Sequence, residues 1–304
     1  MHPAKYLVVI AGPTGVGKTA LAIELASHFD SVIVSADSRQ FYRELEIGTA
    51  KPSPEQLQRV THYFINNKSV TELYGAGHYE KDAIELLDRL FNDHDIVFLV
   101  GGSGLYIDAV LNGVDEFIDV APEIREQLNR ELESEGLTFL REKLKELDPD
   151  YYAKVDLYNS QRIIRALEVC IHSGKPFSSF LKKENINRNF IPIKILVNLA
   201  REKLYAQINS RVEEMMEKGL LDEVKRLSPY KHLNGLKTVG YKEMYAYLDH
   251  SYSLETAVIK VKQHTRNYAK RQLTWFKNQD EFEEFAPADI EKIKAYIDLI
   301  RSHA

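Results

Sequence analysis

Gly12-Pro13-Thr14-Gly15-Val16-Gly17-Lys18-Thr19 is the stretch that decides the fold of this chain. It fits the spacing G-x-x-x-x-G-K-[ST]. The apolar run from Tyr6 to Ala11 ahead of it reads as a buried strand, and Ala20 to His28, with Leu21, Leu25 and its alanines, reads as a helix. Strand, glycine loop and helix in that order build a phosphate cradle. Successive backbone N–H groups point inward, the helix N-terminus adds partial positive charge, Lys18 adds a full charge, and the Thr19 hydroxyl is placed to meet Mg²⁺. A ligand carrying a diphosphate or triphosphate is therefore expected on Gly12, Pro13, Thr14, Gly15, Val16, Gly17, Lys18 and Thr19.

Outward from the loop, Ser31 to Ala36 reads as a second buried strand ending at Asp37-Ser38-Arg39-Gln40. Residues just past the carboxyl ends of strands face the ligand crevice of an open α/β sheet, which puts Asp37 near the phosphate loop. Gly48 to Pro54 reads as a loop, and Glu80 to Phe91 has helical spacing. Asp95 to Val100 reads as a strand running into a second glycine turn, Gly101-Gly102-Ser103-Gly104. This alternation predicts an α/β fold, a P-loop NTPase-like parallel sheet flanked by helices. From about 119 to 187 no strand is expected, only charged helical segments at Pro122 to Glu135, Leu137 to Leu147, Ser160 to His172 and Phe177 to Lys183. That stretch reads as an all-helical insertion domain, leaving 1–118 and 188–304 as the core. Strand character returns at Ile191 to Leu199, followed by a long helix from Arg201 to Leu227, interrupted near Gly219, and another from Leu254 to Lys277.

The 304 residues, 44% hydrophobic, suffice for a full core, and a net charge of -5 argues only weakly against a polyanionic partner, because a local basic face can still hold one. Cys170 is the only cysteine and sits in an apolar helical pattern, so it reads as a buried structural thiol, with no disulfide framework and a reducing compartment. No apolar stretch approaches the roughly 18 residues of a membrane span. The short N-terminal run leads straight into the phosphate loop without a cleavage site, so a cytoplasmic, non-membrane protein is expected. No self-complementary apolar stretch stands out, and a monomer is expected.

The phosphate loop by itself leaves hydrolases, kinases and other transferases open. An ordinary NTPase holds Mg²⁺ with an acid at the end of the strand Asp95 to Val100, yet Gly101-Gly102-Ser103 stands there and Asp95 lies at the opposite end. This argues against a switch-type NTPase. The strand-end carboxylate Asp37 and hydroxyl Ser103 suit proton abstraction from a nucleophile, although Asp37 also fits a helix cap or an outer-sphere metal partner. On the Leu254 to Lys277 helix, Lys262, Arg266 and Lys270 share a face, with Tyr268, Arg271, Trp275 and Lys277 nearby. Such a stripe suits a folded single-stranded nucleic acid, and equally a solvated helix with its Trp in the core. Gln161, Arg162 and Arg165 can read base edges and clamp phosphates, or form surface salt bridges.

Taken in order, GPTGVGKT (Gly12 to Thr19), DSRQFY (Asp37 to Tyr42), IGTAKP (Ile47 to Pro52), VGGSGLY (Val100 to Tyr106), QRIIRALEV (Gln161 to Val169), the Arg211 to Val224 pattern, VGYKE (Val239 to Glu243) and AKRQLTWF (Ala269 to Phe276) resemble the tRNA dimethylallyltransferases over nearly the whole chain. The resemblance implies transfer of a dimethylallyl group from dimethylallyl diphosphate to N6 of the adenosine beside the anticodon of tRNA, with Mg²⁺ as cofactor. Lys18, Arg211 and Mg²⁺ on Thr19 would neutralise the departing diphosphate, Asp37 would take the N6 proton, and Ser103, where the family commonly has Thr, would keep its hydrogen bond nearby. By motif position Asp37, Ser38, Arg39, Gln40, Ser103, Arg125, Gln161, Arg162, Ile163, Ile164 and Arg165 would contact tRNA, with Lys237 to Lys242 and Lys270 to Lys277 as further candidates. The insertion would grip the anticodon stem-loop. Two departures are Tyr63, where a second His is common, and the lack of an acid within Asn198 to Ala200. The absence of a DDxxD run excludes the all-helical prenyltransferases. The rival readings are an isopentenyltransferase of free AMP or ATP, a small-molecule kinase, and a non-catalytic RNA-binding protein.

Overall fold

The computed structural model describes residues 4–114, 120–181, 187–279 and 281–303. The chain divides into two compact units, Met1–Asn112 together with Asn187–Ala304, and Gly113–Ile186.

The first unit is built on β1 (Tyr6–Ala11), whose six residues are all buried. A strand covered on both faces reads as an unbroken apolar run, which is what Tyr-Leu-Val-Val-Ile-Ala provides. With β2 (Ile33–Ser35), β3 (His62–Tyr63), β4 (Ile96–Gly101), β5 (Ile191–Val197) and β6 (Glu283–Phe285) it forms a six-stranded sheet in the order β3-β2-β4-β1-β5-β6. Every pairing is parallel. Because side chains alternate across a strand, Leu7, Val9 and Ala11 enter one hydrophobic cluster while Tyr6, Val8 and Ile10 enter the other. The helices of this unit are α1 (Lys18–His28), α2 (Pro54–Arg59), α3 (Ala76–Asp93) and α4 (Gly104–Asn112) before the second unit. After it come α8 (Arg201–Glu217), α9 (Leu220–Arg226), α10 (Tyr241–Leu248), α11 (Leu254–Lys277) and α12 (Ile290–Ser302). The break between α8 and α9 falls at Gly219, whose φ of 94° suits glycine.

The second unit consists of α5 (Pro122–Leu147), α6 (Pro149–Tyr152) and α7 (Ser160–Ser173). α5 is broken at Gly136, with φ 81° and ψ 175°, so the two helices expected on either side of it meet there. Leu128, Leu140, Leu144, Ile163, Ile164 and Leu167 form its core. Asp148 is fully buried and caps α6 through the Tyr151 N–H (3.0 Å) while accepting from Ser178 N (2.6 Å) and Oγ (2.8 Å). The helix expected from Phe177 to Lys183 is a 3-10 turn over Phe177–Phe180, and residues 182 and 183 lie outside the described residues. Cys170 is buried and its Sγ accepts from Phe177 N at 3.3 Å, while burial pushes the thiol pKa up, as a structural cysteine requires. Among the described residues no helix is long and apolar enough to cross a membrane.

Candidate active site

The parallel register sets the strand ends level. Ala11 pairs with both Gly101 and Leu196, and Ser35 pairs with Val100. The phosphate loop after β1, the Asp37 turn after β2 and the second glycine turn after β4 therefore open at one edge of the sheet, where the crevice of a parallel α/β fold lies. Two glycines permit this closeness. A Cβ on Gly12 would collide with the Val197 carbonyl, and one on Gly101 with the Ala36 carbonyl.

A cavity of about 790 Å³ lies at this edge, lined among others by Thr14, Gly15, Lys18, Thr19, Asp37 and Arg211. Lys18 folds back on its own loop, donating to the carbonyls of Gly12 (2.9 Å) and Pro13 (2.8 Å). Burial lowers its pKa to about 7, against a raising effect of Asp37 and with a smaller lowering from Arg211. Arg211 is lowered by burial too, with Asp37 and then Glu214 opposing. Lys18 and Arg211 thus share one half-buried space with Asp37, in a cavity whose lining also carries Lys51 and Lys218 and the carboxylates Glu46 and Glu214, and two cations set so close together favour an incoming polyanion. Asp37 Oδ1 accepts from Arg39 N (2.8 Å) and Gln40 N (3.3 Å), closing an Asx turn. No helix begins at Asp37, so it is not a helix cap; one oxygen closes this turn and Oδ2 is without a hydrogen bond among the described residues.

Other candidates sit differently. Ser103 does not line the cavity; its Oγ accepts from Ser38 N at 3.0 Å, with the Tyr268 side chain close by. Arg39 donates to the Ser38 carbonyl at 3.0 Å, and Gln40 accepts from Ser35 Oγ and donates to the carbonyls of Thr49 and Ala50. In the helical unit Gln161 and Arg162 are exposed, but Arg125 and Arg165 both pair with the buried Glu168, at 3.0 and 3.5 Å. Ile163 and Ile164 correct the sequence reading. Both are fully buried in the core of their unit, because the helical face that packs against α5 must be apolar, and their side chains cannot reach a ligand. On α11, Lys262 pairs with Glu213 (2.6 Å), Arg266 donates to Asn209 (2.6 Å) and Lys277 pairs with Glu284 (3.0 Å). Trp275 is partly buried against the core rather than presented for stacking, while Lys270 and Arg271 are exposed, as is the paired Lys277.

The sequence reading missed the residues that shape the cavity from a distance. Lys51 lines it, donates to the Tyr42 carbonyl at 2.6 Å, and is lowered by burial to about 8. Glu223 is buried on α9 and accepts from the backbone N–H groups of Glu46 (3.1 Å), Ile47 (2.8 Å) and Gly48 (3.1 Å) and from the Tyr241 hydroxyl (2.5 Å). It fixes the Ile47–Pro52 segment that carries Lys51. Glu223→Ala should cost roughly 3 kcal/mol by stranding several buried donors, read as a lowered denaturation midpoint. An unchanged midpoint would mean that the clamp carries no weight.

A parallel sheet with a strand-loop-helix phosphate cradle, Lys18, Arg211 and Asp37 lining one cavity, and glycines in place of the strand-end acid define a phosphate-loop group-transfer protein. Residues 40–279 match the family model described as IPP transferase. The chain belongs to that family and is a transferase. It is 50% identical to the tRNA dimethylallyltransferase of Christiangramia forsetii, over 93% of each chain. It is 48% identical to tRNA dimethylallyltransferase 1 of Bacteroides thetaiotaomicron, over 96% of this chain and 95% of the relative. Among solved structures it resembles the full-length tRNA isopentenylpyrophosphate transferase of Bacillus halodurans (TM-score 0.73, 34% identity, 98% of this chain and 97% of that one). It also resembles a eukaryotic dimethylallyltransferase acting on tRNA (TM-score 0.78, 25% identity, 98% of this chain and 77% of that one).

Proposed function

We propose that this protein transfers the dimethylallyl group of dimethylallyl diphosphate to N6 of the adenosine 3′ to the anticodon of tRNA, releasing diphosphate. The observation that carries the reading is the meeting of Lys18, Arg211, the phosphate loop and Asp37 around one cavity. The N6 lone pair attacks C1 of the allyl group as the C1–O bond breaks and the diphosphate takes the electron pair. Loop N–H groups, Lys18 and Arg211 neutralise the charge that develops there. The N6 proton passes to Asp37 Oδ2, because an aromatic amine is a poor nucleophile until it loses one. Inside a stacked anticodon loop the amine is out of reach, so the nucleotide is flipped into the cavity. Exposed Gln161 and Arg162 on the helical unit, and Lys270 and Arg271 on α11, supply tRNA contacts.

Among the described residues no group of three His, Cys, Asp or Glu side chains could cage a metal. Mg²⁺ commonly binds through one or two protein oxygens plus phosphates and water, and the Thr19 hydroxyl, which lines the cavity, fits that pattern. Bound there, Mg²⁺ supplies positive charge to the departing diphosphate.

Labelled dimethylallyl diphosphate with Mg²⁺, offered to unmodified tRNA with adenosine 3′ to the anticodon and separately to AMP, tests the proposal. Label recovered from tRNA as N6-prenyladenosine is the expected result. Label in AMP alone would assign the free-nucleotide reaction instead, and ATP consumption without prenyl transfer would indicate a kinase.

A further inference from the structure

One face of α11 meets three consecutive residues of the second glycine turn. Gln272 Nε2 donates to the Gly102 carbonyl at 2.7 Å, Tyr268 lies close to Ser103, and the Trp275 ring covers Gly104. The positions 268, 272 and 275 are one turn apart, as a single helical face requires. A Cβ on Gly104 would collide with the Trp275 ring, and one on Gly102 would displace the Gln272 amide from its place against the turn.

Gln272 does more than hold this turn. It is buried, at 7% exposure, and its Oε1 accepts from Thr14 N in the phosphate loop at 2.9 Å. The backbone ladder between β1 and β4 ends at the pair Ala11 and Gly101. Beyond that pair the Gln272 amide bridges the two loops much as another rung would, satisfying a donor on one and an acceptor on the other. The second turn in turn holds the Asp37 segment, because Ser103 Oγ takes the Ser38 N–H. A single chain of hydrogen bonds therefore runs from the phosphate loop through Gln272 and the second glycine turn to the residue next to Asp37.

Given the prenyl transfer proposed above, on which this rests, we propose that Gln272 is a positioning residue that sets the leaving group at a fixed distance from the proton-accepting side of the cavity. It does not itself touch the reacting atoms. Its loss lets the two loops drift apart, so that the breaking C1–O bond and the attacking N6 fall out of line. Water then competes for C1: an O–C1 bond forms in place of the N–C1 bond, the water loses a proton, and dimethylallyl alcohol is released with diphosphate.

The test compares wild type, Gln272→Ala and Gln272→Glu at saturating tRNA and dimethylallyl diphosphate, counting dimethylallyl alcohol and N6-prenyladenosine from the same reaction. The Glu variant keeps the size of the side chain and the acceptor for Thr14 N but loses the donor to Gly102, so it carries the test if the Ala variant fails to fold. Displacing reactants by about an ångström costs on the order of a hundredfold in rate. Transfer should fall by about that factor in kcat with KM values little changed, and the ratio of alcohol to prenylated nucleoside should rise about tenfold or more. A folded variant whose ratio equals that of wild type would overturn the role of Gln272, whatever its kcat, because a loss of folded enzyme lowers both products together. Absence of transfer by wild type would sink the assigned reaction and this inference with it, whereas wild-type transfer with unchanged ratios sinks only the inference.

Discussion

Asp37→Asn should reduce single-turnover prenyl transfer by about 10²- to 10⁴-fold while leaving the dissociation constant for tRNA within about threefold, the usual range for losing a general base that contributes little binding surface. Asn is the informative substitution because its side-chain oxygen can still accept from Arg39 N and Gln40 N and keep the turn closed. What it loses is the carboxylate charge and proton affinity at Oδ2. Asp37→Ala should lose the same rate and loosen the turn as well. Near-normal turnover at saturating tRNA, with weakened binding, would show that Asp37 holds tRNA and does not accept the proton.

Lys18→Ala should lower kcat/KM for dimethylallyl diphosphate by about 10²- to 10³-fold, comparable to deleting a preorganised charge from an oxyanion site. The same residue predicts a pH dependence. Burial puts its pKa at about 7 in the free protein, so above that pH the amine is largely neutral. A bound diphosphate favours the ammonium form and raises the pKa, so binding above pH 7 takes up a proton, and the affinity falls by up to about tenfold per pH unit. Titration calorimetry with inorganic pyrophosphate at pH 8.5, in buffers of different ionisation enthalpy, should show uptake approaching one proton in wild type and less in Lys18→Ala. Equal uptake in the two proteins would place the leaving group away from Lys18.

The helical insertion shows where local pattern stops being informative. Gln161, Arg162, Ile163, Ile164 and Arg165 are contiguous, and a motif treats them as one block. The helix distributes them around its circumference: two are exposed, two lie in the core, and Arg165 pairs with Glu168. The 3.6-residue period is enough to separate the isoleucines from the polar residues, because it carries them to the same face as Leu167. The pairing of Arg125 with Glu168 could not have been foreseen, since the two lie on different helices. A similar limit applies at the sheet edges. β3 has two residues and β6 reads Glu-Glu-Phe, with both glutamates exposed. Edge strands of this kind carry no buried run and exist because a neighbour offers a ladder.

What the sequence by itself determined is the set of features written in contiguous residues. β1, the phosphate loop, α1, the strand ends at Asp37 and Ser103, and the breaks at Gly136 and Gly219 follow from apolar runs, helical spacing and glycine, all short-range properties of the backbone. What only the tertiary structure decided is which distant polar groups satisfy one another. Gln272 bridges Thr14 and Gly102 across 258 and 170 residues of chain, and Glu223 holds the backbone of Glu46, Ile47 and Gly48 from across the fold. Such pairings leave no periodic trace in the sequence. They are fixed by the requirement that buried donors and acceptors find partners, and it takes the packed fold to bring those partners within reach.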